Sequence, residues 1–259
     1  MTKETSEDIV QKTTQESVQS KSTIPNIDIV LVPAGAELRA VRRGIKQADQ
    51  TPSSVIAIPA GPVAVKAFMA KLVAKWERED HNLNRNLLLI GLGGSLCTRY
   101  RAGDSLALTQ IWQGFEDGQS VLPCDLELTA QISRQLQCET GVGVTCDRII
   151  TNAKEKQQLG DRYAAQAVDM EGFSLLKSLS NLACSPDYRI AAVRIISDDC
   201  LHDLPDLLQV IRSDGSMSQT GLLLSFVRRP VAAIRLILGS LRGLKTLEKS
   251  VCKLFSIME

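Results

Sequence analysis

"AQAVDMEGFSLL", residues 165–176, changes character at its midpoint. Its left half reads as a short buried strand and its right half as an apolar helix. Asp169 and Glu171 sit at the junction, with Met170 between them. Burying a carboxylate is costly unless it is paired or put to use. The junction therefore marks either a helix cap or a strand end that faces a site. A strand that ends on acids and passes directly into a helix is the local unit of an α/β fold.

The same alternation runs outward in both directions. Upstream, "IDIVLVP" (27–33) predicts a strand and "AELRAVRRGIK" (36–46) a helix with Leu38, Val41 and Ile45 on one face. "SSVIAIPAG" (53–61) predicts a second strand. "PVAVKAFMAKLVAKWERE" (62–79) predicts an amphipathic helix with Pro62 at its start. "NLLLIGLGGSL" (86–96) predicts a strand running into a glycine-rich turn, and "DSLALTQIW" (104–112) an antiparallel or bent strand. A helix follows over 125–137. Strands in 141–151 and 166–170 flank the polar stretch 152–163. After the helix beginning at Glu171, "YRIAAVRIISD" (188–198) is the last strand. Near-continuous apolar strands alternating with helices imply a three-layer α/β/α sandwich around a mixed, mostly parallel sheet. In such sheets the ligand lies beyond the carboxyl ends of the strands.

Three segments are expected. Residues 1–25 are rich in Ser, Thr, Gln, Lys and Glu and read as a disordered polar tail. Residues 26–212 form the α/β domain. Residues 213–259 read as basic amphipathic helices, broken at Arg229–Pro230, that pack on the domain or at an interface. The chain has 259 residues and a formal net charge of +1, so no global field draws nucleic acid. No apolar run reaches the ~18 residues of a membrane span. The start has no apolar segment of signal type, and none of the seven cysteines forms a C-x-x-C pair. Free thiols in a reducing cytoplasm are expected, with no metal site.

"GLGGSL" (91–96) with the Gly103–Asp104 pair, "VDMEG" (168–172) and "RIISDD" (194–199) resemble the nucleoside phosphorylase/nucleosidase superfamily, with its glycine element, M-E dipeptide and S-D dipeptide in that order. The resemblance covers Ile27 to about Asp203. "VTCDRIITNAKEKQQL" (144–159) and the basic C-terminus are similar to the hopanoid-associated phosphorylase-like branch, which implies a substrate like adenosylhopane.

The resemblance implies cleavage of an N-glycosidic bond in a purine nucleoside or 5′-modified adenosine. It casts Asp198 as the acid that protonates the purine, with Ser197 orienting it at the base. Glu171 binds the ribose hydroxyls and Met170 lies against the sugar. For the attacking group, Glu37 resembles a water-activating acid and Arg39 a phosphate-binding arginine, with the amides of Gly93 and Gly94 as further phosphate contacts. Ile149 lies in the base-binding loop. Asp169 points to the other side of its strand from Glu171 and is expected to cap or support structure. Three features depart from the family pattern. Leu92 stands where a Ser or Thr is usual, Leu89 where some phosphorylases carry an arginine, and Arg148 and Ile149 where an aromatic is usual. No cofactor is implied, with phosphate as a candidate co-substrate. The implied partners are a small-molecule nucleoside and a second copy of the chain in a homodimer. The C-terminal helices are candidates for peripheral membrane contact. A nucleoside-binding module without turnover, or a membrane-peripheral protein that uses the fold as a scaffold, are the alternatives.

Overall fold

Every residue of β1 (Ile29–Pro33) is buried, and its side chains alternate between two apolar cores. The computed structural model describes residues 25–79, 85–115, 120–180, 188–206 and 226–257. The expected tail thus lies almost wholly outside the described residues, as does the start of the expected C-terminal segment. Ile29 and Leu31 face one core, together with Leu87 and Leu89 of β3 (Arg85–Ser95). Val30 and Val32 face the other, with Leu88 and Ile90. This period-2 alternation with both faces apolar is the signature of a sheet covered on both sides.

Two helices cover the first core. They are α2 (Pro62–Glu79), through Val65, Met69 and Trp76, and α5 (Gly172–Ser180), through Phe173, Leu176 and Leu179. Three cover the second: α1 (Ala36–Lys46), α3 (Leu126–Leu136) and α6 (Pro230–Leu254). A third cluster joins α4 (Ala153–Tyr163), through Leu159 and Tyr163, to Leu96 and Val144.

The remaining strands are β2 (Ser54–Ile58), β4 (Ser105–Gln113), β5 (Val121–Pro123), β6 (Glu139–Thr145), β7 (Ala167–Asp169) and β8 (Tyr188–Asp198). Five of the eight strand pairings are parallel: β1 with β2 and β3, β3 with β8, β4 with β6, and β6 with β7. The pairs β3–β7, β4–β5 and β4–β8 are antiparallel. The ladders β3–β8–β4–β6–β7–β3 close into a ring, with β2–β1 extending from β3. The sheet is mixed, and β4 is the antiparallel strand the sequence pointed to.

One expectation is corrected. The glycine-rich stretch is no turn. Gly91 to Ser95 continue β3, and Gly91 to Gly94 pair with Arg194 to Asp198 of β8. The register shifts between Gly93 and Gly94, where β3 also begins to pair with β7. Strand β5 escaped the sequence reading because three residues are too few to display alternation.

Helix α6 starts on Pro230, whose fixed φ and missing N–H suit the first turn. It packs on α1, β8, β3 and α3. Gly239 makes the approach to β8 possible, because a Cβ there would run into the carbonyl oxygen of Ser197. Gly243 gives room to the side chain of Leu92 in the same way. Gly239→Ala is expected to lower stability by about 1–3 kcal/mol through overpacking. That loss exceeds the ~1 kcal/mol an alanine gains in helix propensity, because the obstacle is backbone and cannot swing aside. Urea unfolding of the variant beside the parent measures the difference.

Candidate active site

Arg194 is a fully buried charge in the middle of an apolar strand. Such a group persists only with a counter-ion and satisfied donors. Asp169, at the end of β7, supplies the counter-ion: its Oδ2 accepts from Arg194 Nε at 2.8 Å and also from Nη2. Asp169 Oδ1 accepts from the Thr145 hydroxyl at 2.5 Å, and the carboxylate takes the Gly172 N–H at the start of α5. Asp169 therefore both caps α5 and neutralises Arg194, in line with its expected structural role. The remaining Arg194 nitrogen, Nη1, is buried and has no hydrogen-bond acceptor among the described residues.

Glu37 comes to this cluster from the first turn of α1, just after β1. Its Oε2 accepts the Leu92 N–H at 2.6 Å. Gly91 lies between the groups: a Cβ there would sit 2.5 Å from Glu37 Oε2 and 3.2 Å from Arg194 Nη1. Burial pushes the Glu37 carboxyl up to about 8, aided by the charge of Glu171 and opposed by the Leu92 N–H and by Arg194.

Glu171 is buried two residues beyond Asp169. Its Oε1 accepts the Gly61 N–H at 3.1 Å. Gly61 has φ +86°, a backbone state suited to glycine, and it turns β2 into α2. Burial and the neighbouring Asp169 charge raise the Glu171 carboxyl to about 6, against the pull of Arg194. Met170 lies beside the same turn, with its Cε 3.9 Å from the position of a Gly61 Cβ.

Asp198 ends β8 and has a donor on each oxygen. Ser197 Oγ lies 2.7 Å from Oδ1 and 3.2 Å from the Gly93 carbonyl. Lys156 Nζ, from α4, contacts Oδ2 and donates to the Asp199 carbonyl at 3.0 Å. Asp199 is occupied separately, accepting the N–H groups of Leu201 and His202 at 2.9 and 3.0 Å. Asp198 also forms part of the wall of a cavity of about 460 Å³, shared with Tyr100, Ser197, Leu238 and Arg242.

Glu37, Glu171 and Arg194 are thus brought together, with Asp198 reached across the last glycines of β3. Gly94 contributes space there: a Cβ would come within 3.0 Å of Asp198 Oδ2 and 3.1 Å of Val168 Cγ1. Gly93 and Gly94 are therefore strand residues that allow close packing rather than residues of a turn. The Arg39 side chain is exposed. It follows Glu37 by two residues and lies about 200° around the helix from it, so Arg39 does not join the cluster. Leu92 turns its side chain toward Gly243 of α6, while its N–H serves Glu37. Ile149 is half-buried in the loop after β6. Its neighbour Arg148 pairs with Glu155 and lies over the Phe115 ring at 5.0 Å.

Two functional-looking groups were missed in the sequence. Arg194 left a signal, a lone charge inside "AAVRIIS". Lys156 left a fainter one: it precedes the buried Leu159, Gly160 and Tyr163 by three, four and seven residues, the spacing of one helix face.

No family model and no curated protein matches this sequence. Solved structures share the fold of this chain, a mixed α/β sheet flanked by helices. The particular proteins it is similar to are nucleosidases. A 5′-methylthioadenosine/S-adenosylhomocysteine nucleosidase from Helicobacter pylori superposes with a TM-score of 0.60 at 16% identity, covering 87% of this chain and 96% of that one. Futalosine hydrolase of the same organism gives 0.60 at 15% identity, over 87% and 95%. The S-adenosylhomocysteine nucleosidase of Streptococcus pyogenes gives 0.55 at 16% identity, over 85% and 97%.

The raised Glu37 pKa has a consequence for stability. Between the ordinary value of 4.5 and about 8, the folded chain holds a proton that the unfolded chain releases. Stability therefore falls as pH rises through that window, and the full penalty applies above it. Glu37→Gln removes the penalty. The variant should match the parent near pH 4 and exceed it by about 1–3 kcal/mol at pH 9. Thermal unfolding across this range checks the prediction.

Proposed function

We propose that this chain is a nucleosidase: it hydrolyses the N-glycosidic bond of a purine nucleoside or 5′-modified adenosine. The observation that carries the reading is the juxtaposition of the Glu37 carboxyl, poised near neutral pH, with the unpartnered Nη1 of Arg194. A water held by that N–H would be oriented toward a base of suitable strength. Glu37 takes a proton from the water as its oxygen bonds to C1′. The electron pair of the C1′–N9 bond leaves with the purine, and N7 receives a proton from Asp198. Glu171 accepts from the ribose hydroxyls and offsets the positive charge that develops on the sugar. Met170 lies against the sugar and Ser197 fixes the rotation of Asp198. Water is favoured over phosphate because Arg39 faces away, Gly93 and Gly94 lie within a strand, and leucine at position 92 has no side-chain donor.

A second reading has its own observation. Both oxygens of Asp198 already have donors, which fits a nucleoside-binding module without turnover. The homodimer rests on the resemblance alone. Peripheral membrane contact has support from α6, which exposes Val231, Ile234, Leu238 and Leu241 beside Arg235, Arg242 and Lys245. It would suit a substrate with an extended apolar 5′ group, as in adenosylhopane. No helix among the described residues is long and apolar enough to cross a membrane.

Adenine release from 5′-methylthioadenosine, with and without phosphate, tests the reaction. Phosphate-independent release is expected, rising with pH as Glu37 ionises near 8. Asp198→Asn should lower it by about 10²–10⁴-fold. Tight binding of the nucleoside with no release would favour the binding module, and a strict need for phosphate would overturn hydrolysis. For α6, flotation with anionic vesicles that is lost in an Ile234→Glu/Leu238→Glu variant is the expected outcome. Absence of flotation in the parent would remove the membrane contact.

A further inference from the structure

The proposed reaction leaves one buried cation without a task. The Lys156 side chain is 1% exposed, yet its Nζ touches the carboxylate expected to protonate the leaving base. The placement is well fixed. Asn152 caps α4 by accepting the Glu155 N–H at 3.0 Å, and Gly160 lets the helix press against the Leu96 backbone. Burying an ammonium is costly, so its position calls for a specific partner, and Asp198 is that partner.

The two buried cations of the site differ in kind. Arg194, which pairs with Asp169, is a guanidinium that keeps its proton at any working pH. Lys156, which pairs with Asp198, is an ammonium that can give one up. Fixed charge stands where a counter-ion is needed, and a transferable proton stands where a proton must be delivered.

We infer that Lys156 is the proton source behind Asp198, so that a Lys156–Asp198 dyad protonates the departing purine. The inference rests on the nucleosidase reading and deepens it. Before bond cleavage the pair is an ammonium and a carboxylate. As the C1′–N9 electron pair moves onto the base, one proton passes from Nζ to Asp198 and one from Asp198 to N7. The pair is left as an amine and a carboxylate, beside a neutral purine. The amine then regains its proton from solvent. Lys156 acts through Asp198 and is a positioning residue rather than a group that meets substrate. Ser197, on the other carboxylate oxygen, holds the plane in which the transfer occurs.

Arginine at position 156 separates this role from simple charge pairing, because it keeps the charge and withholds the proton. Lys156→Arg and Lys156→Met should each lower kcat for adenine release about 100-fold or more, with KM little changed. Cleavage of p-nitrophenyl β-D-ribofuranoside, whose leaving group departs as a stable phenolate, should stay within about threefold of the parent, as general-acid help is not required. Adenine release retained by Lys156→Arg would overturn the inference, as would equal losses on both substrates.

A binding measurement reads the dyad without turnover. 9-Methyladenine has no neutral N7–H tautomer and needs a donor at N7, whereas 9-deazaadenine already carries a proton there and needs an acceptor. The parent should bind both, and Lys156→Arg should lose 9-methyladenine about tenfold or more while keeping 9-deazaadenine. An unchanged ratio, or a parent that binds neither base, would overturn the dyad. A parent that shows the expected ratio yet cleaves neither substrate would sink the nucleosidase reading and leave the dyad standing.

Discussion

The ion pair between Arg194 and Asp169 is the constraint around which the rest of the molecule is arranged. A guanidinium inside a ring of strands cannot be tolerated without a carboxylate at bonding distance. Meeting that need fixes the end of β7, and through Gly172 and Thr145 it fixes the start of α5 and the end of β6. Met170 and Glu171 then have nowhere to go but the turn between β7 and α5. The same guanidinium reaches the edge of Gly91, where Glu37 arrives from α1. One buried charge thereby draws together acids from two separate parts of the chain, Glu37 from α1 and the Asp169–Glu171 pair from the β7–α5 junction.

The acids differ because their surroundings differ. Asp169 is paired with Arg194. Burial raises the Glu37 carboxyl to about 8, and burial with the adjacent Asp169 charge raises Glu171 to about 6, against the pull of Arg194.

Much of this architecture was legible in the sequence. Helix α1, helix α2 and strand β8 begin and end where the periodicity places them, because each has a long apolar stripe and a clear stop. The M-E and S-D dipeptides located two strand ends correctly, since a polar residue closing an apolar run is a strong local signal. What escaped was set by long-range pairing. The glycines of β3 look like a turn until β7 and β8 are placed on either side of them. The orientation of Arg39 depends on which face of α1 the Glu37 carboxylate claims. Lys156 reads as one more polar residue in "NAKEKQQL" unless the carboxylate across the site is already known.

Closure of the strands also governs how the chain meets other chains. Among the described residues, each of five strands pairs with two others around a ring, which leaves little strand edge for another chain to pair with. Among the described residues, the open edges of the sheet fall to β2 and β5, which are five and three residues long. Short edges are poor templates for strand addition. The fold therefore guards against edge-to-edge aggregation by geometry, and it can keep its interior strands strongly apolar without exposing them to misassembly.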